Sequence, residues 1–476
     1  MNISSIFRLM GGDGVELYSS IRKESKPQQI SKGSKQYDPK LHDVASKSKR
    51  PDKLVFKPNG SRDPVTGEDI LVEDTESVSR VPVAFENYII KQKAAFTAGS
   101  GVTLKPSKEG TKLFDLMSSN WYDNKTDFQL QDIFRQVMAY TEAAVIFYGE
   151  RGAERFEDFR YKFKIVSPEK GDTLEPIFDE DTDDLIAFGR EYQLSKENVT
   201  RYDLYVINES GKVEIRRYEN GSPLLNLTDH EGQPTYILTT PYTKLPVVYW
   251  SQDAPECDIT SEMIREFEWA FSDFCTQQSY SADPILFGKG SVLSLPPKGA
   301  PGKYIEGSAD SELSFVTPDN ATESRELQFR MLRDFIFGLN RAAYIDLETM
   351  KSIGDVSGRA LKYFLIDAYM EASGKQKGYL GIGVQRMANW MLHEWRELAG
   401  GERDLRVYVE FQQYEVDDQE GKVELAMRAN GGLPVMTHKS SITLAGLEED
   451  ATEALEEIEG QSMEGNGARE EVVDEV

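Results

Sequence analysis

The sequence has 476 residues and a mass of 53.8 kDa, which is enough for about two to four domains. Hydrophobic residues make up 39% of it and the formal net charge is −26. This composition excludes a wholly disordered protein and disfavours one that wraps nucleic acid with a basic surface. An acidic wall, which repels phosphate, remains compatible with a conduit along which DNA slides.

Targeting and cross-linking signals are sparse. No apolar run is long enough for a transmembrane helix, and the N-terminus lacks the pattern of a secretory signal. Cys257 and Cys275 are the two cysteines, and with four scattered histidines they form neither a disulfide framework nor a zinc site of ordinary spacing. The sequence therefore predicts synthesis in a reducing cytoplasm and a fold without these cross-links.

Residues 1–80 are predicted to form a polar, partly flexible N-terminal arm. Residues 1–57 hold 12 Lys or Arg and 6 Asp or Glu, and Lys47, Lys49, Arg50 and Lys53 cluster. Such a charge pattern is typical either of a solvated arm or of a segment that docks to a partner. Both interpretations remain open from the sequence.

From about Val81 the apolar spacing changes to that of helices and then of strands. A first helix is predicted to end at Gly99 and Gly101, and a second to span Asp127–Tyr148. Alternating residues then predict strands over about 159–219, with Asn208–Gly211 as a hairpin turn.

Two further helices, at about 258–283 and 321–344, flank a Pro- and Gly-rich insert that contains short strand candidates at Ile285–Phe287 and Ser291–Leu295. This order predicts a helical hairpin with a compact tip. On a wheel of the second helix, apolar residues share one side: Leu327, Met331, Leu332, Phe335, Ile336 and Leu339. Charged residues share the other, where Phe337 is an exception: Glu326, Arg330, Arg333 and Arg341. These arginines indicate a solvated or inter-subunit salt-bridged face, or a ring of cations that faces a channel.

The longest helical pattern runs from about Arg359 to Leu398, and four glycines in its middle predict a kink or a break. They are Gly374, Gly378, Gly381 and Gly383. One strand and several short helices follow. Residues 448–476 hold 12 Asp or Glu and one Arg, so 461–476 is predicted to be an acidic, disordered tail. These elements together predict an α+β fold.

The sequence contains one weak candidate for a metal site. Asp179, Asp181 and Asp183 resemble the start of a calcium loop, but Asp184 and Arg190 occupy the positions where such a loop needs Gly and Glu. An acidic hairpin turn and an adventitious cation site are the two interpretations. The sequence has no phosphate loop, no GxSxG and no HExxH motif, so we predict no catalytic residue and no cofactor.

Five segments follow one another in a characteristic order along the chain. They are VAFENYIIKQKAAFTAGSGVTLK (83–105), TKLPVVYWSQDAPECDITSEMIREFEWAFSDFCTQQSYSADPILFGKG (243–290), DVSGRALKYFLIDAYMEASGKQKGYL (355–380), VYVEFQQYEVDD (407–418) and GGLPVMTHKSSITLAG (431–446). Their order resembles that in the portal (head-to-tail connector) proteins of tailed double-stranded DNA bacteriophages. The likeness covers about 80–476, less the acidic tail. The segment RAAYIDLETM (341–350) departs from the family, which often has a Pro there.

The resemblance implies a ring, usually of twelve subunits, at one capsid vertex. The implied regions of each subunit are a wing (81–257), a first stem helix (258–283), a clip (284–320), a second stem helix (321–344), a tunnel loop (345–357), a long wing helix and strand (358–412) and a helical crown (413–460).

The resemblance also implies partners and a location. Double-stranded DNA would pass through the ring without sequence-specific contacts, driven by the large terminase subunit, and would later exit to the tail. Terminase and then head-completion (adaptor) proteins would dock at the clip, while major capsid and scaffold proteins would contact the ring. The protein would reside in the virion, and in the host cytoplasm during assembly, with no membrane contact and no enzymatic activity.

Two sets of residues follow from this mapping. The tunnel-loop candidates for approaching DNA are Glu348, Thr349, Met350, Lys351 and Ser352. The clip candidates for docking terminase and adaptors are Lys289, Pro296, Pro297, Lys298, Lys303 and Tyr304.

Two alternatives belong to other classes of protein. The first is a metal-dependent enzyme that uses the acidic cluster at 179–184. The second is a capsid or tail scaffold protein that shares segments with portal proteins but forms no ring.

Overall fold

The structure is a computed structural model. It describes residues 26–62, 67, 69–150, 159–179, 182, 184–194, 199–208, 210–228, 232–281, 285–289, 292–294, 306–307, 312–316, 322–344, 365–412, 419–430, 436–446 and 452–458. The chain divides into one unit of Met1–Ala342 with Ala372–Gln412 and a second of Ala343–Glu371 with Gln413–Val476. None of the helices in these described ranges combines the length and apolar character needed to cross a bilayer.

The described elements confirm a mixed α+β fold. The helices are α1 (Lys26–Tyr37), α2 (Phe85–Ala98), α3 (Lys112–Asp123), α4 (Thr126–Tyr140), α5 (Ser261–Ser281), α6 (Thr322–Leu339), α7 (Ile366–Lys377), α8 (Tyr379–Ala399), α9 (Gln419–Asn430) and α10 (His438–Ala445). Short 3-10 turns cover Pro39–Leu41, Asp43–Ala45, Pro168–Lys170 and Asp258–Thr260.

The strands in chain order are β1 (Lys53–Arg62), β2 (Asp69–Glu76), β3 (Val102–Pro106), β4 (Glu142–Gly149), β5 (Tyr161–Val166), β6 (Thr173–Phe178), β7 (Leu185–Leu194), β8 (Val199–Ile207), β9 (Val213–Glu219), β10 (Ser222–Pro223), β11 (Leu227–Thr228), β12 (Pro234–Thr235), β13 (Ile237–Thr239), β14 (Val247–Ser251), β15 (Ile285–Lys289), β16 (Val292–Ser294), β17 (Glu306–Gly307), β18 (Glu312–Val316) and β19 (Val407–Phe411).

The main core of the first unit lies where α2, α3, α4 and α8 pack against the sheet β14-β4-β5. The expected helix Asp127–Tyr148 is wrong in its second half. Helix α4 ends at Tyr140, Thr141 has a φ of 68°, and β4 begins at Glu142. The apolar run in β4 is buried on both faces, and such a run has no period that separates a buried strand from a buried helix.

The alternating segment forms an antiparallel sheet of order β10-β9-β8-β7-β6, with β13 paired to β9. The turn predicted at Asn208–Gly211 is confirmed between β8 and β9. Asn208 Oδ1 accepts hydrogen bonds from the backbone N–H groups of Ser210 and Lys212, and Gly211 has a φ of 73°. The side chain of Asn208 thus supplies the acceptors that a tight turn needs.

Helices α5 and α6 form the predicted hairpin, and we call this pair the stem. The two helices are antiparallel, since Asn340 Nδ2 donates to Thr260 Oγ1 at one end (2.7 Å) while the rings of Phe274 and Phe329 meet near the other (6.0 Å). At the tip, β15 pairs with β18 and β16 pairs with β17. The strands expected at Ile285–Phe287 and Ser291–Leu295 are therefore present as β15 and β16.

The long helical pattern breaks at Gly378, which separates α7 from α8. This agrees with the prediction of a kink or break. The other glycines act differently, because α8 continues through Gly381 and Gly383. A Cβ on Gly383 would lie 1.8 Å from Trp250 Nε1, so this glycine allows the close approach of β14 to the helix.

The N-terminal segment packs on α5. Arg50 is buried, and its Nη2 donates to Asp273 Oδ1 of α5 at 2.7 Å. The backbone N–H groups of Ser79 and Val81 donate to the hydroxyls of Thr276 and Ser272. These contacts fix the root of the β1-β2 hairpin, the part of the chain just before β1 and just after β2.

A buried cluster of titratable groups joins the same segment to α5 and α2. His42 Nδ1 lies 2.6 Å from Glu268 Oε1, and His42 Nε2 lies 3.0 Å from the carbonyl oxygen of Gln36. Both neighbours are acceptors, so the ring is best satisfied when both nitrogens carry protons. Burial lowers the pKa of His42, but the hydrogen bonds to Glu268 and Gln36 and the nearby Glu86 charge outweigh it and raise the pKa to about 9. Burial raises the pKa of Glu86 to about 7, partly opposed by the His42 charge.

These two shifts predict that the free energy of unfolding falls as the pH rises from about 5 to 9. A histidine with a raised pKa stabilises the fold fully below its ordinary pKa, and this contribution is lost as the pH rises through 9. A carboxyl with a raised pKa stabilises the fold most while it is protonated. Its contribution is therefore lost as the pH rises from 4.5 to about 7, which lowers the free energy of unfolding by roughly 3 kcal/mol. Glu86→Gln should therefore flatten the lower part of this profile, as measured by thermal unfolding from pH 5 to 9.

The matched control is Glu394→Gln, because burial also raises the pKa of Glu394 to about 7 at a site remote from His42. Glu394→Gln should remove part of the loss below pH 7 and leave the loss above pH 7. Glu86→Gln should also reduce the loss above pH 7, because the Glu86 charge helps to raise the pKa of His42. An unchanged profile in Glu86→Gln would show that Glu86 is already ionised at pH 5.

The second unit contains α9 and α10. Asn430 Nδ2 at the end of α9 donates to Ser441 Oγ of α10 at 2.7 Å. The Thr437 side chain accepts a hydrogen bond from the Ser440 N–H and caps α10, and Gly446 ends the helix with a φ of 64°.

Candidate functional site: the two-helix stem

The charged side of α6 carries both signs. Arg330 Nη2 donates to Glu326 Oε1 at 2.8 Å, one turn away, and both side chains are exposed. Arg333 lies 3.3 Å from Asp334 and is partly covered. Arg341 lies beyond the end of the helix, exposed and with a φ of 50°. An exposed ion pair of this kind adds little to the stability of the fold. The charged groups on this side of the stem therefore face the surroundings of the subunit without contributing much to its folding.

The apolar side of α6 is exposed. Leu327, Met331, Phe335 and Leu339 are 54%, 49%, 53% and 48% exposed and follow one another at intervals of four residues. We call these four residues the apolar stripe. No neighbour within the described part of the chain covers them.

Helix α6 packs on α5 with a different face. Phe329 meets Phe267, Phe271 and Phe274, and Ile336 and Asn340 are buried at the base of the stem. The wheel drawn from the sequence grouped Ile336 with the apolar stripe.

Phe337, which stood among charged residues on the wheel, is buried. Its ring lies 5.8 Å from that of Phe85 and 6.0 Å from that of Tyr88, both in α2. Sequence reasoning therefore missed that α6 has two apolar faces. One packs against described residues of its own chain, and the other is exposed among them.

The other candidate residues fall on parts of the chain of which the structure describes little. The tunnel-loop candidates Glu348, Thr349, Met350, Lys351 and Ser352 lie outside the described residues, as do the clip candidates Pro296, Pro297, Lys298, Lys303 and Tyr304. Lys289 ends β15, whose backbone pairs with Glu312 of β18. The roles assigned to these residues stay predictions.

The acidic segment at 179–184 forms the connection between β6 and β7. Asp179 Oδ1 accepts hydrogen bonds from the N–H and hydroxyl of Thr182, and the Asp179 N–H donates to the carbonyl oxygen of Asp184. This is the geometry of a hairpin turn, while Asp181 and Asp183 lie outside the described residues. Among the residues that are described, no three His, Cys, Asp or Glu side chains come together as a metal site.

Comparison with known families decides the identity. A family model described as phage portal protein, SPP1 Gp6-like, matches residues 22–467. The chain belongs to this family of phage portal proteins. The resemblance deduced from the order of segments is thereby confirmed, and it extends into the N-terminal segment, where the sequence alone showed no likeness. The portal family is structural and not enzymatic.

Solved structures similar to this portal protein come from gene transfer agent (GTA) particles. One is described as the virion of a native GTA particle, with 10% identity and a TM-score of 0.39, and another as the neck of a native GTA particle computed with C12 symmetry, with 10% identity and a TM-score of 0.37. Each alignment covers 76% of this chain and 89% of the other. Among curated proteins no match was found.

Proposed function

We propose that this portal protein assembles into a ring of twelve subunits, the usual number in the family, and that this ring forms the DNA channel at one vertex of a capsid. The single observation that supports assembly is the apolar stripe of α6, because four large side chains half-exposed on one helix face mark a surface that a partner covers. The stripe lies on one side of the stem only. A contact between two different surfaces of identical subunits propagates head to tail and closes into a ring when the rotation allows it.

Charge supports a channel through which DNA slides. The chain carries −26 overall, and Arg330 and Arg333 of α6 sit beside carboxylates, so such a wall would not hold phosphates as a basic surface does. In a ring, each charge of α6 recurs once per subunit. Glu326, Arg330, Arg333 and Arg341 are the residues that we assign to the channel side of the stem.

The remaining assignments follow from family membership. The loop with Glu348, Thr349, Met350, Lys351 and Ser352 would approach the DNA. The clip, which includes Lys289, would dock the large terminase subunit during packaging and head-completion proteins afterwards. Capsid and scaffold proteins would hold the ring in the virion, after assembly in the host cytoplasm.

The native mass of the purified protein tests the ring. Twelve times 53.8 kDa is about 650 kDa, and we expect a single species near this mass by native mass spectrometry. A count of eleven or thirteen would support a ring equally. A monomer that persists at every salt and protein concentration would contradict the proposal and favour the scaffold alternative.

A further inference from the structure

The β1-β2 hairpin is a two-stranded ribbon with apolar residues open to solvent. Phe56 pairs with Glu73, Leu54 pairs with Thr75, and Pro58 pairs with Leu71. Directly opposed residues share a face of an antiparallel ribbon, and the face alternates along each strand. Leu54, Phe56 and Leu71 therefore lie on one face, where they are 53%, 63% and 59% exposed. We call this the apolar face of the ribbon.

Among the described residues, no other part of the chain supports the strands of this ribbon. Within the described ranges β1 pairs with β2 and with no other strand, and every side chain of β2 from Ile70 to Glu76 is exposed. A two-stranded hairpin by itself is at best marginally stable in water. A hairpin with exposed apolar side chains therefore needs a partner surface to hold it in place.

The root of the ribbon and α6 lie on opposite sides of α5. The root contacts α5 through Ser272, Asp273 and Thr276, and the Arg50 guanidinium lies over the Trp269 ring. Helix α6 contacts α5 through Phe267, Phe271 and Phe274. At 100° per residue the centres of these two faces of α5 are roughly half a turn apart.

The apolar stripe of α6 points away from α5. Met331 stands about 160° and Phe335 about 120° around α6 from Phe329, the residue that meets α5. Across the stem, the order is therefore ribbon root, α5, α6 and apolar stripe. In the described part of the chain, one subunit thus carries an exposed apolar ribbon on one side of its stem and an exposed apolar stripe on the other.

We propose that the apolar face of the ribbon covers the apolar stripe of α6 in the neighbouring copy of the chain. This inference rests on the proposed ring, in which every ribbon meets a stripe of the next subunit. The lengths fit: ten residues of β1 extend about 33 Å, and the twelve-residue rise from Leu327 to Leu339 is about 18 Å. The charges fit as well, because Glu73 lies on the apolar face of the ribbon and Arg330 borders the stripe.

Pairs of introduced cysteines test the contact. Phe56→Cys and Met331→Cys are combined in a Cys275→Ser background, while Cys257 is fully buried and stays. Under mild oxidation the assembled protein should give a ladder of disulfide-linked dimers, trimers and higher species on a non-reducing gel. Asp74→Cys with Met331→Cys is the matched control, since Asp74 lies on the opposite face of the ribbon, and it should give at least tenfold less product.

The outcomes separate the inference from the proposed function. A ring of the expected mass without the ladder, or with an equal ladder in the control, would overturn the ribbon contact and leave the ring intact. A cross-link confined to single chains would overturn it too. Absence of any ring would contradict the proposed function itself, which the native mass reports independently of the cysteines.

Discussion

Replacing Met331 with Asp should convert the assembled particle into folded monomers. Met331 is half-exposed in the single chain, so a carboxylate there meets water and costs the subunit little. In a ring the same position would be covered, and a buried charge without a partner costs on the order of several kcal/mol at every interface. Native mass spectrometry should show a shift from about 650 kDa to 53.8 kDa with an unchanged circular dichroism spectrum.

Arg330→Gln is the matched control for this change. Arg330 precedes Met331 on the same helix, is exposed, and donates a hydrogen bond to Glu326. Loss of an exposed ion pair alters stability by about 1 kcal/mol or less, so the ring should persist. A Met331→Asp protein that still assembles would show that the apolar stripe is not an interface between copies.

The stem could be predicted from the sequence because neighbouring residues along the chain determine where its helices form and end. The spacing of Phe267, Phe271 and Phe274 favours a helix with one apolar face, and the Pro- and Gly-rich stretch after residue 281 ends it. The turn at Asn208–Gly211 was predictable for the same reason, since Asn and Gly supply the acceptor and the positive φ that the turn requires.

The same patterns do not say which partner covers an apolar face. A helical wheel assigned Leu327, Met331 and Ile336 to one side, yet only Ile336 is buried by the chain itself. Periodicity shows which side of a helix is apolar. It does not show whether the surface that covers this side belongs to the same subunit or to another. The candidate interface could therefore be found only after the packing of α6 on α5 was known.

The position of the N-terminal segment depended on contacts distant in sequence. Arg50 belongs to a basic cluster that permits a solvated arm or a docking segment, and its partner Asp273 lies 223 residues away. His42 likewise meets Glu268 across 226 residues. No local signal links such residues, although the family match that begins at residue 22 agrees with a structured segment.

A second large effect, on the stability of the fold, is expected from a substitution at Gly383, one of the glycines in the long helical pattern. Gly383→Ala should destabilise the fold by about 3 kcal/mol, although Ala favours a helix over Gly by about 1 kcal/mol. The new Cβ would lie 1.8 Å from Trp250 Nε1 and 2.2 Å from Trp250 Cε2. Trp250 is almost fully buried, and its Nε1 donates to the Leu380 carbonyl oxygen at 3.1 Å, so the ring has little room to move.

Gly374→Ala in α7 is the matched control, because nothing lies within 4 Å of its Cβ position. It should leave stability unchanged or raise it by up to about 1 kcal/mol. Urea unfolding at one fixed protein concentration measures both variants, since association of subunits adds to apparent stability.

A second substitution separates the proposed clash from a general intolerance of α8. Trp250→Phe removes the Nε1 and Cε2 atoms that the new Cβ would meet, at the cost of a buried hydrogen bond and some packing. If the two residues are in contact, Trp250→Phe should weaken the effect of Gly383→Ala by more than 1 kcal/mol, and the double variant should be more stable than the sum of the single changes predicts. Additive effects would mean that Gly383 serves the helix alone. In that case the close approach of β14 to α8 would not be the reason that glycine occupies this position.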